Sequence, residues 1–383
     1  MKISSPSNKA KAKRLTSGNV GNKSNEFFPG AAYRGYQNLI ELLLVARINI
    51  DQKDDLGDTA LFGAAHNGHE DILKRLLEAK ADVNQICGDG QTAVYIASSH
   101  GYDNIVRMLL EANPDVNQAD KDGHTALHTA SSNGHNTIIK MLLEANADVN
   151  RSDKDGHTAL HTASSNGYNT IVKTLLEAGA SVNPIDPLGK TSPLLEATRH
   201  GHESIVRLLL DSGADIELSG SEGEPVLWIA AREGNEAVVK MVLEAGARVD
   251  GLSSPPMAST PLTNAARNGH DHIVKLLLEA GADINKKAGL GPTSLWSAIR
   301  ARHKSTVKIL LDAKADPNCR STLFAPPLIE AIRAGDDDIV CMLLEAHAKT
   351  NVKDSDGRTA LEMALTTCKP STATLLKMRS GQQ

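Results

Sequence analysis

The apolar positions of this chain fall on two successive helical faces and then begin again. In the stretch from Thr125 to Gly134, Leu127, Ala130 and Ser131 lie at i, i+3 and i+4, a stripe of small residues on a short helix. Thr125 stands where an N-cap belongs, and Gly134 breaks the helix. Ile138, Met141 and Leu142 then mark the stripe of a second helix. Asn146–Asn150 leads out of it, and Asp120–Gly123 and Asp153–Gly156 read as tight turns. Slots just after the cap hold Pro261 and Pro327, which suit a first helical turn. The pattern predicts helix, turn, helix and loop, with Ala and Ser on the first helix letting neighbouring helices approach closely.

This unit recurs. Residues 120–134 read DKDGHTALHTASSNG, and residues 153–167 read the same string 33 residues later. The Gly that ends the first helix returns at Gly35, Gly68, Gly101, Gly134, Gly167, Gly201, Gly234, Gly269 and Gly335, with Arg302 in the slot between the last two. Steps are 33 residues, except 34 into Gly201 and 35 into Gly269. With a degenerate final unit, about eleven repeats are expected. A fixed period of this size means stacked units, each touching its neighbours, and not one globular core.

Composition agrees. Aromatic residues are only 3%, too few for large conventional cores, so Ala, Leu, Ile and Val must do the packing. The net charge is −5, but residues 1–25 carry six cations and no acid, which leaves −11 on the remainder. An acidic body argues against nucleic-acid binding by the array, because phosphate contacts need Lys and Arg in excess. Cys87, Cys319, Cys341 and Cys368 form neither a disulfide framework nor a zinc pattern. A reduced compartment is expected. The N-terminus has no apolar signal core. The stretch Leu39–Ile48 is interrupted by Glu41 and Arg47 and is too short to span a bilayer.

Gly-x-Thr-Ala-Leu-His-x-Ala, then Asn-Gly-His, then a Leu-Leu-Glu-Ala-x-Ala-Asp-Val-Asn ending, resembles the ankyrin repeat over roughly residues 27–378. The resemblance implies an all-α ankyrin-repeat solenoid, of helix-turn-helix units joined by β-turn or hairpin-like loops. The expected organisation is a disordered basic tail over 1–25 and an array over 26–383. Within the array, 26–56 is the N-terminal cap repeat, 57–351 the central repeats and 352–383 the C-terminal cap repeat. Residues 27–56 are read as lacking the turn and most of the first helix. Cys368-Lys369-Pro370 stands where Gly-His belongs, and Leu252–Pro256 carries the two extra residues of the 35-residue step in an irregular loop. Lys9–Arg14 has the composition of a nuclear-import patch, although a solvated tail is the preferred reading. Cytoplasmic location is expected, with nuclear entry through the tail as the other option.

Fragments that imitate active-site motifs do not hold up. Gly189-Lys190-Thr191 would need a Gly at position 184 to form a phosphate loop, and Pro184 is there. The three residues instead fit the repeat slots of Gly123-His124-Thr125. Asp120-Lys121-Asp122-Gly123, Asp153–Gly156 and Asp354–Gly357 resemble half a calcium loop. Gln118, Arg151 or Val352 would be the first ligand and Thr129, Thr162 or Met363 the last. His124/His128 and His157/His161 are four apart like zinc ligands, but the first of each pair precedes the helix, and the resemblance implies a structural hydrogen-bonding role for the second. No nucleophile arrangement stands out. The expectation is a chain that is not an enzyme and has no cofactor, metal or membrane contact.

Five arginines are the strongest candidates for function. The slot two residues before the ruler Gly holds Arg199, Arg232, Arg267, Arg300 and Arg333 in repeats six to ten, and Tyr33, His66, Ser99, Ser132 and Ser165 in repeats one to five. It lies about 140° from the buried stripe. With stacked helices about 8–10 Å apart, the five make a row roughly 35–40 Å long. Such a row suits an extended acidic segment of a partner protein, because the guanidinium fork grips carboxylates at two points. Against this, Glu196 and Glu330 stand three residues before Arg199 and Arg333 and can pair with them. Trp228 and Trp296 share the slot of His128, Phe62 and Tyr95, where packing between units is the preferred reading over a hot spot. The duplicated repeats offer a second, neutral surface around Lys121, Asp122, His124, Ser132 and Asn133. The function expected is a non-catalytic scaffold or adaptor that holds a protein on the concave inner-helix and turn-tip face. The alternative is an accessory subunit holding an enzyme of a biosynthetic or ubiquitin-transfer pathway. Oligomeric state is left open.

Overall fold

The computed structural model describes residues 27–184, 191–220, 223–251, 259–287, 291–319, 323–366 and 370–380. The basic tail with Lys9–Arg14, the Leu252–Pro256 run, Gly189-Lys190 and Cys368-Lys369 lie outside them. The chain divides into two compact units, residues 1–148 and 149–383.

In the first unit the helices are α1 Phe27–Arg34, α2 Gln37–Val45, α3 Ala60–Asn67, α4 Glu70–Glu78, α5 Ala93–His100, α6 Asp103–Glu111, α7 Ala126–Asn133 and α8 Asn136–Glu144. In the second they are α9 Ala159–Asn166, α10 Asn169–Glu177, α11 Pro193–Arg199, α12 Glu203–Asp211, α13 Val226–Glu233, α14 Glu236–Glu244, α15 Pro261–Asn268 and α16 Asp271–Glu279. They are followed by α17 Ser294–Ala301, α18 Lys304–Asp312, α19 Pro327–Ala334, α20 Asp337–Glu345, α21 Ala360–Thr366 and α22 Pro370–Ser380. Among the described residues, odd-numbered helices are the inner members of eleven pairs, and even-numbered helices are the outer ones. Among the described residues no strand forms. The turns make only isolated antiparallel bridges, such as Ser152 with Thr158 and Lys353 with Thr359.

Capping at both ends keeps the inner helices short. The side-chain hydroxyls of Thr59, Thr92, Thr260 and Thr293 accept from the N–H three residues on, and Ser192 does the same for Leu195. At the far end Gly68, Gly101, Gly134 and Gly167 turn into the left-handed region, where a Cβ is costly. Arg302 takes the same conformation, φ 63°, without being a glycine. A second left-handed position follows each outer helix. It is glycine at 179, 213, 246 and 281, but Arg47, Lys80, Asn113, Asn146, Lys314 and His347 elsewhere.

Burial follows the two stripes. Leu127, Ala130 and Ser131 are all buried, as the pattern predicts. Three expectations need correction. On α8 the buried residues are Ile138, Ile139 and Leu142, while Met141 is half-buried, because the packed face lies one residue further round the helix. The helix of the first repeat is not truncated: α1 has eight residues, as many as α3. The cap of α11 is Ser192, not Thr191, so the extra residue of the 34-residue step lies before the helix. Thr191 instead donates through its hydroxyl to Glu196 Oε1 at 2.7 Å.

Two sets of hydrogen bonds tie neighbouring repeats together within each unit. In the first, a carboxylate or amide oxygen in the outgoing loop accepts the backbone N–H of a loop residue one repeat on. Asp51 accepts from Asp82, Asn84 from Asp115 and Asn117 from Asp148, at 2.8, 2.7 and 2.7 Å. In the second unit Asn150, Asn183, Glu217, Asp250, Asn285 and Asn318 do the same at 2.7–3.0 Å. In the second set, an imidazole before the outer helix reaches back to a carbonyl of the preceding inner helix. His135 Nε2 meets Ser99 O at 3.3 Å, His202 meets Ser165 O at 3.0 Å and His303 meets Arg267 O at 3.0 Å. A carbonyl can only accept, so Nε2 carries the proton. The same rings lie against the ruler glycines: a Cβ on Gly101 would sit 2.6 Å from His135 Cε1.

Two substitutions test this account. Gly101→Ala combines a left-handed backbone with that clash and should cost about 2–3 kcal/mol in urea unfolding. Asn117→Ala leaves the Asp148 N–H without its acceptor and should cost about 1 kcal/mol, read the same way. No shift in midpoint for Asn117→Ala would remove the loop bonds from the list of stabilising contacts.

Candidate partner-binding face

The fold gives every arginine of the candidate row the same local setting. Each lies in the last turn of an inner helix of the second unit: Arg199 on α11, Arg232 on α13, Arg267 on α15, Arg300 on α17 and Arg333 on α19. In that unit α15 packs on α17 and α17 on α19, so consecutive arginines belong to neighbouring helices. Side chains of Arg199 and Arg232 are 34% exposed, Arg300 62% and Arg333 45%. Arg267 is also exposed. The backbone under the row is fixed, because the carbonyls of Arg232 and Arg267 take the His270 and His303 bonds at 3.1 and 3.0 Å.

Their charge is not equally available. Arg199 pairs with Glu196 at 3.2 Å and Arg333 with Glu330 at 3.2 Å, as the i, i+3 spacing predicts. Sequence reasoning missed the contacts between repeats. Glu224, buried in the turn before α13, stands 3.5 Å from Arg199 and 3.3 Å from Arg232. Arg232 also pairs with Glu233 at 2.8 Å and lies 4.9 Å over the Trp228 ring. Glu330, buried, takes Arg300 at 2.7 Å from the preceding repeat as well as Arg333. Among the described residues Arg267 has no side-chain ion pair. The one signal for Glu224 was an acid in the slot that His124 holds in the duplicated unit.

The other candidates take structural roles. Trp228 Nε1 donates to the Ser259 carbonyl at 3.2 Å, and Trp296 Nε1 to the Ala325 carbonyl at 3.0 Å, each in the next repeat. Trp296 also lies 4.7 Å from the Phe324 ring. Both tryptophans therefore pack between repeats. His128 and His161 are buried, and the Nδ1 atom of each accepts the N–H of its own cap residue, Thr125 or Thr158, at 3.2 and 3.1 Å. That bond occupies the lone pair a metal would need. Burial pushes the Cys87 and Cys341 thiols above their ordinary value, away from the thiolate that a nucleophile requires.

Asp120, Asp122 and His124 bring ligand atoms within 4.8 Å of one another. Asp120 is nonetheless engaged as a turn residue. Its Oδ1 accepts the N–H groups of Asp122 and His124, and its Oδ2 accepts the Tyr95 hydroxyl at 2.9 Å from the preceding repeat. Burial opposes the charged carboxylate, but the hydrogen bonds from His124, Tyr95 and Asp122 outweigh it and hold the group at about 2.

These features define an all-α array of helix-turn-helix repeats whose exposed inner-helix positions carry its variable chemistry. A family model described as ankyrin repeats (3 copies) matches residues 30–120, 112–186, 183–253, 227–321 and 295–382. The chain belongs to the ankyrin repeat family, and its fold is that of an ankyrin-repeat solenoid. No curated protein matches it. Ankyrin repeats are generally protein–protein interaction modules and typically non-catalytic. Among the described residues no helix is long and apolar enough to cross a membrane.

The Asp120 carboxylate gives a pH test. Its folded value of about 2 lies below the free value of about 3.9. Its stabilisation is therefore complete above about pH 4 and lost as pH falls through about 2. Asp120→Asn should cost about 1–3 kcal/mol at pH 7. The gap from wild type in urea midpoint should close between pH 4 and 2.

Proposed function

We propose that this protein is a non-catalytic scaffold or adaptor that holds a partner protein on its inner-helix and turn-tip face. The arginine row of the second unit makes the contact. The observation that carries the reading is the row itself. Five repeats place a half-exposed or exposed guanidinium at one slot of a chain that is otherwise acidic. A fixed backbone beneath the row keeps the side chains presented without reorganisation on binding. The partner chemistry it fits is an extended acidic segment, since guanidinium–carboxylate pairs are directional and two-pronged. The acidic balance of the array disfavours nucleic acid. The reading goes with a cytoplasmic protein, with nuclear entry through the basic N-terminal tail as the other option.

Affinity purification of the full chain with crosslinking mass spectrometry tests this. A stoichiometric partner should crosslink within residues 190–340, and Arg267→Glu should reduce its recovery about tenfold with unchanged helicity by circular dichroism. Crosslinks confined to residues 58–170, or recovery unaffected by the reversal, would reject the arginine face.

A further inference from the structure

The five arginines are not equivalent, and the difference names both the site and its ligand more narrowly. This inference rests on the proposed binding face. At the N-terminal end of the row, Arg199 and Arg232 stand against three carboxylates, those of Glu196, Glu224 and Glu233. Arg232 is further held over the Trp228 ring. That end has no positive charge to offer. At the C-terminal end, Arg267, Arg300 and Arg333 stand against one carboxylate, Glu330. The bonds to Glu330 use only Nη1 of Arg300 and Arg333. The other N–H groups of each fork remain to meet a ligand. The residue after each arginine sharpens the contrast: Glu233 follows Arg232, whereas Asn268, Ala301 and Ala334 follow the last three.

We infer that the binding site is the triad Arg267, Arg300 and Arg333, and that Arg199 and Arg232 are structural ion pairs between repeats. The triad sits on α15, α17 and α19, which pack in succession. Helices so stacked lie about 8–10 Å apart. An extended peptide in the polyproline II conformation has three residues per turn and advances about 3.1 Å per residue, so every third side chain faces the row and three residues match one step. The ligand is an extended acidic peptide with carboxylates at every third position, one per arginine. Glu330 fixes the forks of Arg300 and Arg333, and among the described residues Arg267 is the member of the triad with no ion pair.

Fluorescence anisotropy with the full chain tests this. The probes are labelled peptides of one composition: three Glu separated by Ser-Thr pairs, and the same residues with the three Glu consecutive. The spaced peptide should bind at least about tenfold more tightly, with affinity falling as salt rises. Arg267→Ala and Arg333→Ala should each weaken it about tenfold. Arg199→Ala should change it less than about twofold, since two carboxylates, Glu196 and Glu224, already hold that guanidinium. Among the described residues the Arg267 side chain has no ion pair to lose, so Arg267→Ala should fold as wild type, and circular dichroism checks this. Equal binding of both peptides overturns the three-residue spacing. Equal losses at Arg199 and Arg267 overturn the triad but leave the whole row as the face. No binding of either peptide overturns the acidic ligand, and the crosslinking map then decides separately whether the face itself stands.

Discussion

A side-chain oxygen in one loop accepting a backbone N–H from the next is the interaction on which the rest of this structure depends. An ankyrin-type unit cannot bury its hydrophobic stripe alone. It needs a neighbour, in register, and register cannot come from apolar contact, which has no direction. The loop bonds from Asp51 through Asn318 supply it, one per repeat. The imidazole bonds such as His303 to Arg267 O add a second fixed point on the other side of the helix pair. Between these two points the inner helices are set side by side, and small residues keep them close.

From that register the rest follows. Because the loop fixes the turn, Glu224 arrives beneath two arginines that belong to different repeats, and Glu330 likewise. A buried carboxylate without cations would be costly. Shared between two guanidinium groups, it ties neighbouring inner helices and sets how much charge each leaves for a ligand. Stability and recognition meet at these two residues. The imidazole bonds reach the same slot through the Arg232 and Arg267 carbonyls, whereas the loop bonds and N-caps lie away from it.

What could be read from the sequence was what is local. The cap at Thr125, the helix-ending glycines, the stripe Leu127–Ser131 and the i, i+3 pairs Glu196–Arg199 and Glu330–Arg333 all depend on residues a few positions apart, so spacing alone reveals them. The row of arginines was visible because the period carries one slot into the next. What escaped depends on placement between repeats or on a single-residue offset. Glu224 lies 25 residues from Arg199, and only the folded turn brings them together. Ser192 displaces Thr191 as a cap because the extra residue of that repeat has no fixed place in the period. Ile139 replaces Met141 because a nine-residue helix can turn slightly on its neighbour and still bury a stripe.

The left-handed residues that close the outer helices have a consequence of their own. Lys80, Asn113, Asn146, Lys314 and His347 hold a conformation that glycine takes at the same place in other repeats. Each holds a side chain in the left-handed region, which costs most L-residues about 1–2 kcal/mol and is open to glycine, and none shares a slot with the arginines. The array therefore holds unspent mutational headroom outside its recognition surface. Changes that cost stability at the inner helices can be offset at these turns, so the specificity of the face is free to evolve while the scaffold beneath it stays folded.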